Sequence, residues 1–237
     1  MPLSPVYGEP PVEHSFHEFP EWQEFMHYLY LPVRLKDGPE DVILPPNLEF
    51  LRQVIEYCWS SVYQDHRHLN DPYIYVTARR GFATPGNPLN RPGWHCDDFG
   101  GEDINYIWSD RWPTRFLVRE MGDGGRDLGV PSDDEESMHY FEAFASDPQH
   151  YGLHIETARG GQLLELNPWV IHSTPEIGAP GGMRSFFKIS FSNHRYNLKG
   201  NSHNHLLGYR WHMFDRGEVR NSTDERRNAD FVVESHF

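Results

Sequence analysis

WVIHSTPEIGAPGGMRSFFKISFSNH, residues 169–194, decides the fold. Two runs rich in β-branched and aromatic residues, WVIHSTP and RSFFKISFSNH, flank a Gly/Pro cluster that a strand cannot continue through, so the segment reads as strand, loop, strand. Upstream the same pattern recurs in YIYVTARR (73–80), GWHCDDF (93–99), TRFLVRE (114–120), LHIETA (153–158) and GQLLELN (161–167). Seven short strands with regular turn signals predict a β-sandwich or barrel.

Before this region, residues 1–20 are Pro-rich and aperiodic and read as an irregular arm. Glu21 to Leu31 is expected to form a short helix. Leu48, Leu51, Val54, Ile55, Cys58, Trp59 and Val62 recur at helical spacing after Pro45-Pro46-Asn47, which predicts an amphipathic helix lying on the sheets, with Cys58 as a buried hydrophobe. Residues 120–150 read as a long polar loop, a candidate lid, followed by a short helix around His139 to Ala145. Its acidic run, Asp133 to Glu136, reads as solvated surface. No second-domain linker or internal repeat is visible. The expectation is one mainly β domain with flanking helices over 1–237: an arm and helices over 1–70 packed on the core, a core over 71–195 and an extension over 196–237.

Composition narrows the partners. The formal charge of −14 and the lack of a Lys/Arg run weigh against duplex nucleic acid. Two cysteines are too few for a disulfide scaffold, and neither a signal peptide nor a membrane-length apolar run is present, so a soluble cytoplasmic protein is expected.

The chemistry is concentrated in His95, Asp97 and His172. Two imidazoles and one carboxylate on one face of a metal leave the opposite positions open, as non-haem Fe(II) oxygenases require. If GWHCDDF is a strand, His95 and Asp97 share a face, while Cys96 and the rival carboxylate Asp98 point away. Arg184 begins the next strand with Phe186, Lys188, Ser190 and Ser192 on its face. A guanidinium deep in a barrel needs an anion, either a ligand or a rim carboxylate. Lys188 competes with it as anchor.

HCD at 95–97, NPWVIHSTPE at 167–176 and GGMRSFFKIS at 181–190 resemble the Fe(II)/2-oxoglutarate-dependent oxygenase superfamily, and the strand pattern extends the resemblance over about residues 71–195. It implies a double-stranded β-helix, or jelly roll, with His95, Asp97 and His172 as iron ligands and Arg184 as anchor of the 2-oxoglutarate 5-carboxylate. Further co-substrate contacts are expected among Tyr75, Thr77, Tyr106 and Thr114. The implied reaction uses Fe(II), 2-oxoglutarate and O₂ to hydroxylate a substrate C–H bond, with release of succinate and CO₂. Arg91, Trp94, Trp108 and Arg115 are candidate substrate contacts for a small polar molecule such as an amino acid or natural-product intermediate. Three rivals share parts of the pattern: a cupin, a non-catalytic jelly roll that binds metal or ligand, and a zinc hydrolase.

Overall fold

The computed structural model describes residues 6–16, 19, 22–39, 41–120, 127–131 and 134–216. Among these residues nine strands run β1 (Val12–His14), β2 (Met26–Arg34), β3 (Tyr73–Ala83), β4 (Ile104–Ser109), β5 (Arg115–Arg119), β6 (Leu153–Thr157), β7 (Leu163–Leu166), β8 (Ile171–Ser173) and β9 (Gly182–Ser192). They form two antiparallel sheets, of order β1-β7-β4-β9-β3-β2 and β6-β5-β8. The sheets do not close into a barrel.

Side-chain alternation sorts the molecule into layers. Between the sheets, Ile107, Leu164, Leu166 and Phe186 of the large sheet meet Phe116 and Val118 of the small one. The opposite face of the large sheet carries Val76, Tyr106, Trp108, Phe187, Ile189 and Phe191. Leu48 and Leu51 of a 3₁₀ turn cover that face together with Val54, Ile55, Cys58 and Val62 of α1 (Arg52–Asp65). On the far side, α2 (Asp134–Ser146) presses Phe141 and Phe144 against Trp94, Leu117, Leu153 and Ile171.

Several expectations change here. The helix expected over Glu21 to Leu31 is absent from its described residues, 22–31: from Met26 onward the chain is strand β2, because pairing with β3 satisfies its backbone and a register shift between Tyr28 and Leu31 buries Leu31 and Val33. The N-terminal arm also contributes an edge strand, β1, paired with β7. Strands β1 and β2, within the first 70 residues, therefore belong to the large sheet, while α1 lies over it. GWHCDDF is not a strand; His95 makes one bridge to His172, and Asp97 starts a turn. INYIWS, unassigned above, is the central strand β4. The other two predicted helices are present as α1 and α2, and Cys58 is buried. Residues 121–126 and 132–133, which hold much of the suggested lid and the start of the acidic run, lie outside the described residues, as does the tail beyond 216. Among the described residues no helix is long and apolar enough to cross a membrane.

Candidate metal centre

His95 and His172 are joined backbone to backbone: His95 N–H donates to His172 O at 3.0 Å and His172 N–H to His95 O at 2.9 Å. This pairing places the two imidazoles side by side, ring centroids 4.5 Å apart. Each ring also meets the carbonyl two residues before it through Nδ1, His95 with Gly93 O at 3.0 Å and His172 with Val170 O at 3.1 Å. A carbonyl only accepts, so Nδ1 carries the proton and Nε2 keeps its lone pair for a ligand.

Two residues on, a turn brings in the carboxylate. Asp98 sits at φ +49° and turns its side chain back to accept from the N–H of Glu102 at 2.9 Å and of Asp103 at 3.1 Å. A Cβ at Gly101 would lie 1.7 Å from Asp98 Oδ2, so this turn requires glycine there. Asp98 is thus consumed by the turn and Asp97 faces the imidazoles; turn geometry separates the two carboxylates, where strand alternation was expected to. The ligand atoms of His95, Asp97 and His172 all lie within 4.8 Å of one another, a group that could hold a metal ion. From the outer layer, Glu142 of α2 accepts the Trp94 N–H at 3.0 Å and fixes the segment leading into His95.

The electrostatics prepare these groups for a cation. Burial, helped by neighbouring His172, lowers His95 to about 3, and burial likewise lowers His172, so both rings are neutral at neutral pH. Burial opposes ionisation of Asp97, but Lys188 and the two imidazoles outweigh it and hold the carboxyl well below its usual range. Lys188 Nζ donates to Asp97 Oδ2 at 2.9 Å and to Tyr30 Oη at 3.2 Å. Burial works against the ammonium as well, yet Asp97 and Tyr30 keep it above its ordinary value.

The triad opens into a cavity of about 570 Å³, a volume suited to a small molecule. Arg184 lines it, fully buried and lowered by that burial to about 10. Its Nε donates to the carbonyls of Trp112 (3.1 Å) and Arg111 (3.2 Å), and its Nη1 to Asn90 Oδ1 (2.5 Å) and Pro88 O (3.3 Å). Nη2 makes no hydrogen bond among the described residues. The rim-carboxylate alternative is thereby replaced by a cage of neutral oxygens, with Asp110 acting only at longer range.

Of the other candidates, Thr77, Thr114, Lys188 and Arg91 line the cavity. Thr77 Oγ1 accepts the Tyr30 N–H at 3.0 Å. Tyr75 does not line it: its hydroxyl donates to His194 O at 2.9 Å and its ring is stacked under Tyr196. Tyr106 and Trp108 lie on the opposite face of the sheet, under α1, because strand parity sends Asn105 and Ile107 to the cavity instead. Tyr106 donates there to Glu165 at 2.7 Å. Trp94 packs beneath α2, and Arg115 reaches outward to Glu176, its guanidinium over the Trp94 ring.

Beside Arg79, Asn90 and Asn105, the cavity has walls that were not expected: Tyr30 from β2, and Tyr196 and Asn201 from the extension. The Tyr-Leu-Tyr-Leu alternation at 28–31 was the available signal for Tyr30. His66 is paired with Glu165 at 2.7 Å, and the triad is the one metal-capable group of His, Cys, Asp and Glu among the described residues. No protein-family model matches the chain, and a search of curated proteins finds no significant similarity.

Proposed function

We propose that this chain is an Fe(II)- and 2-oxoglutarate-dependent dioxygenase with a jelly-roll core, which hydroxylates a C–H bond of a small polar molecule such as an amino acid or natural-product intermediate. The observation that carries this reading is the convergence of two neutral imidazoles and one carboxylate on a cavity that also contains Arg184. The donor set fits iron: borderline nitrogen ligands with one hard oxygen and room for co-substrate on the open side. When bound, iron with 2-oxoglutarate and O₂ would supply the oxidising power for C–H hydroxylation, with succinate and CO₂ as by-products.

The chain's own residues bind, orient and exclude water. His95 and His172 offer Nε2 because Gly93 and Val170 hold the other nitrogen. Lys188 orients Asp97 and is occupied by it, which favours Arg184, through Nη2, as the partner for the distal carboxylate of 2-oxoglutarate. Ile107 and Phe186 provide apolar wall beside the polar Thr77, Thr114 and Asn105. The two facing antiparallel sheets support the jelly-roll part of the proposal, and the cavity beside the triad supports a small-molecule substrate.

The experiment is anaerobic addition of Fe(II) and 2-oxoglutarate to the metal-free protein, then O₂ and succinate quantification, with Asp97→Ala alongside. A weak visible charge-transfer band and succinate formation, both missing in Asp97→Ala, are expected. Neither band nor succinate, even with a broad mixture of amino acids present, would replace this reading with a zinc-dependent or purely binding role.

A further inference from the structure

The metal triad and Arg184 leave a charged part of the cavity unexplained. Arg79 is paired across the large sheet with Phe186 of β9 on one side and His27 of β2 on the other. Its half-buried guanidinium lines the cavity, and its hydrogen bond runs from Nη1 to the Leu89 carbonyl. No carboxylate among the described residues pairs with it. The charged groups that feel it are cationic or cation-forming, Arg184 and His27. Burial alone lowers its pKa, with no acidic neighbour to offset that cost.

The wider cavity has the same bias. Among the described residues, Arg79, Arg91, Arg184, Lys188, Arg195 and Arg216 line it against two acids, Asp97 and Asp98, in a chain of net charge −14. A concave wall of one sign concentrates the field and draws in ligands of the other. Lys188 is committed to Asp97, and Arg184 is already caged on Nε and Nη1. Arg79 is differently placed: it is a planar fork with one carbonyl partner, suited to bidentate contact with an oxyanion.

We propose that Arg79, on the cavity wall beside His27, holds a carboxylate or phosphate group of the substrate, so that the molecule oxidised is a small anion. Calling that anion the substrate rests on the dioxygenase reading; the anion site itself does not.

The test uses the metal-free full-length chain, titrated calorimetrically with inorganic phosphate and separately with propionate. It compares the parent with Arg79→Gln, Arg79→Lys and, as control, Arg80→Gln, whose guanidinium reaches Ser185 and Gln23 away from the cavity. Losing a charge-assisted contact predicts about tenfold or greater weakening in Arg79→Gln. Arg79→Lys, which keeps the charge but loses the planar fork, should fall between the parent and Arg79→Gln, whereas Arg80→Gln should stay within about threefold of the parent. The stronger probe in the parent identifies the headgroup. Binding of neither probe by the parent, or undiminished binding by Arg79→Gln, would overturn the proposal. Arg79-dependent anion binding without 2-oxoglutarate-dependent succinate formation would remove the dioxygenase reading and leave the anion site standing; the opposite result would remove only the anion site.

Discussion

Replacing Lys188 by Met isolates the most consequential contact in the cavity. Lys188 Nζ lies 2.9 Å from Asp97 Oδ2, with side-chain exposures of 11% and 14%, and Met keeps most of the apolar stem while deleting the charge. Removing one partner of a buried pair strands the other and costs about 3–5 kcal/mol. Asp97 can limit that loss by taking up a proton, which from an ordinary carboxyl value costs about 4 kcal/mol at pH 7 and about 1.5 kcal/mol at pH 5. The metal-free variant should therefore lose about 3–4 kcal/mol at pH 7, and less than half of that at pH 5. At pH 7 this corresponds to roughly 6–16 °C in Tm for a chain of this size. A bound divalent ion supplies the missing positive charge, so Co(II), a redox-stable stand-in for Fe(II), should restore most of the loss and bind the variant more tightly than the parent. Urea unfolding at both pH values, with and without Co(II), measures all of this. A loss that is the same at pH 5 and pH 7 and unchanged by metal would refute the reasoning, because it would mean that packing rather than the Asp97 charge sets the cost.

Metal affinity should depend little on acidity. Two ordinary histidines would cost a site about 100-fold in affinity between pH 7.5 and 5.5 through proton competition. With His95 lowered to about 3 and His172 also lowered by burial, the fall should stay under about tenfold, read by Co(II) titration; a full 100-fold fall would contradict buried neutral rings. Asp103 is raised to about 8 by burial and by Asp98, so it is protonated in the folded state and ionised in the unfolded chain above about pH 4. Its contribution is therefore present at low pH and lost as pH rises toward 8, by up to about 1.4 kcal/mol per unit, and Asp103→Asn should flatten the urea-derived stability profile over that window. Glu165 joins His14, His66 and Tyr106 at 2.7–2.8 Å, tying β1 to α1's end and the sheet. Glu165→Ala should cost about 3 kcal/mol in urea unfolding without changing metal affinity; a loss under about 1 kcal/mol would show the cluster to be energetically idle.

What the sequence determined by itself is whatever depends on neighbours along the chain. Apolar spacing from Leu48 to Val62 was enough for α1, since that stripe needs an apolar sheet face under it wherever the sheet comes from. Residue type and order singled out His95, Asp97 and His172, three ligands of two types in runs otherwise rich in apolar and aromatic residues. The tertiary structure decided what depends on pairing across long separations. The helix expected over Glu21 to Leu31 gave way from Met26 onward to strand β2, because β3 offered it an edge. Asp97 was separated from Asp98 by a glycine-dependent turn, which period-two reasoning does not describe. Tyr106 and Trp108 were drawn under α1 by the parity of β4, a strand recognisable only through β7 and β9 on its flanks. The partners of Arg184 and Lys188 were likewise invisible in sequence. The oxygens that cage Arg184 come from residues more than seventy positions away, and the carboxylate on Lys188 from one ninety-one positions away. A buried charge is compensated by whichever groups the folded chain brings within reach of it.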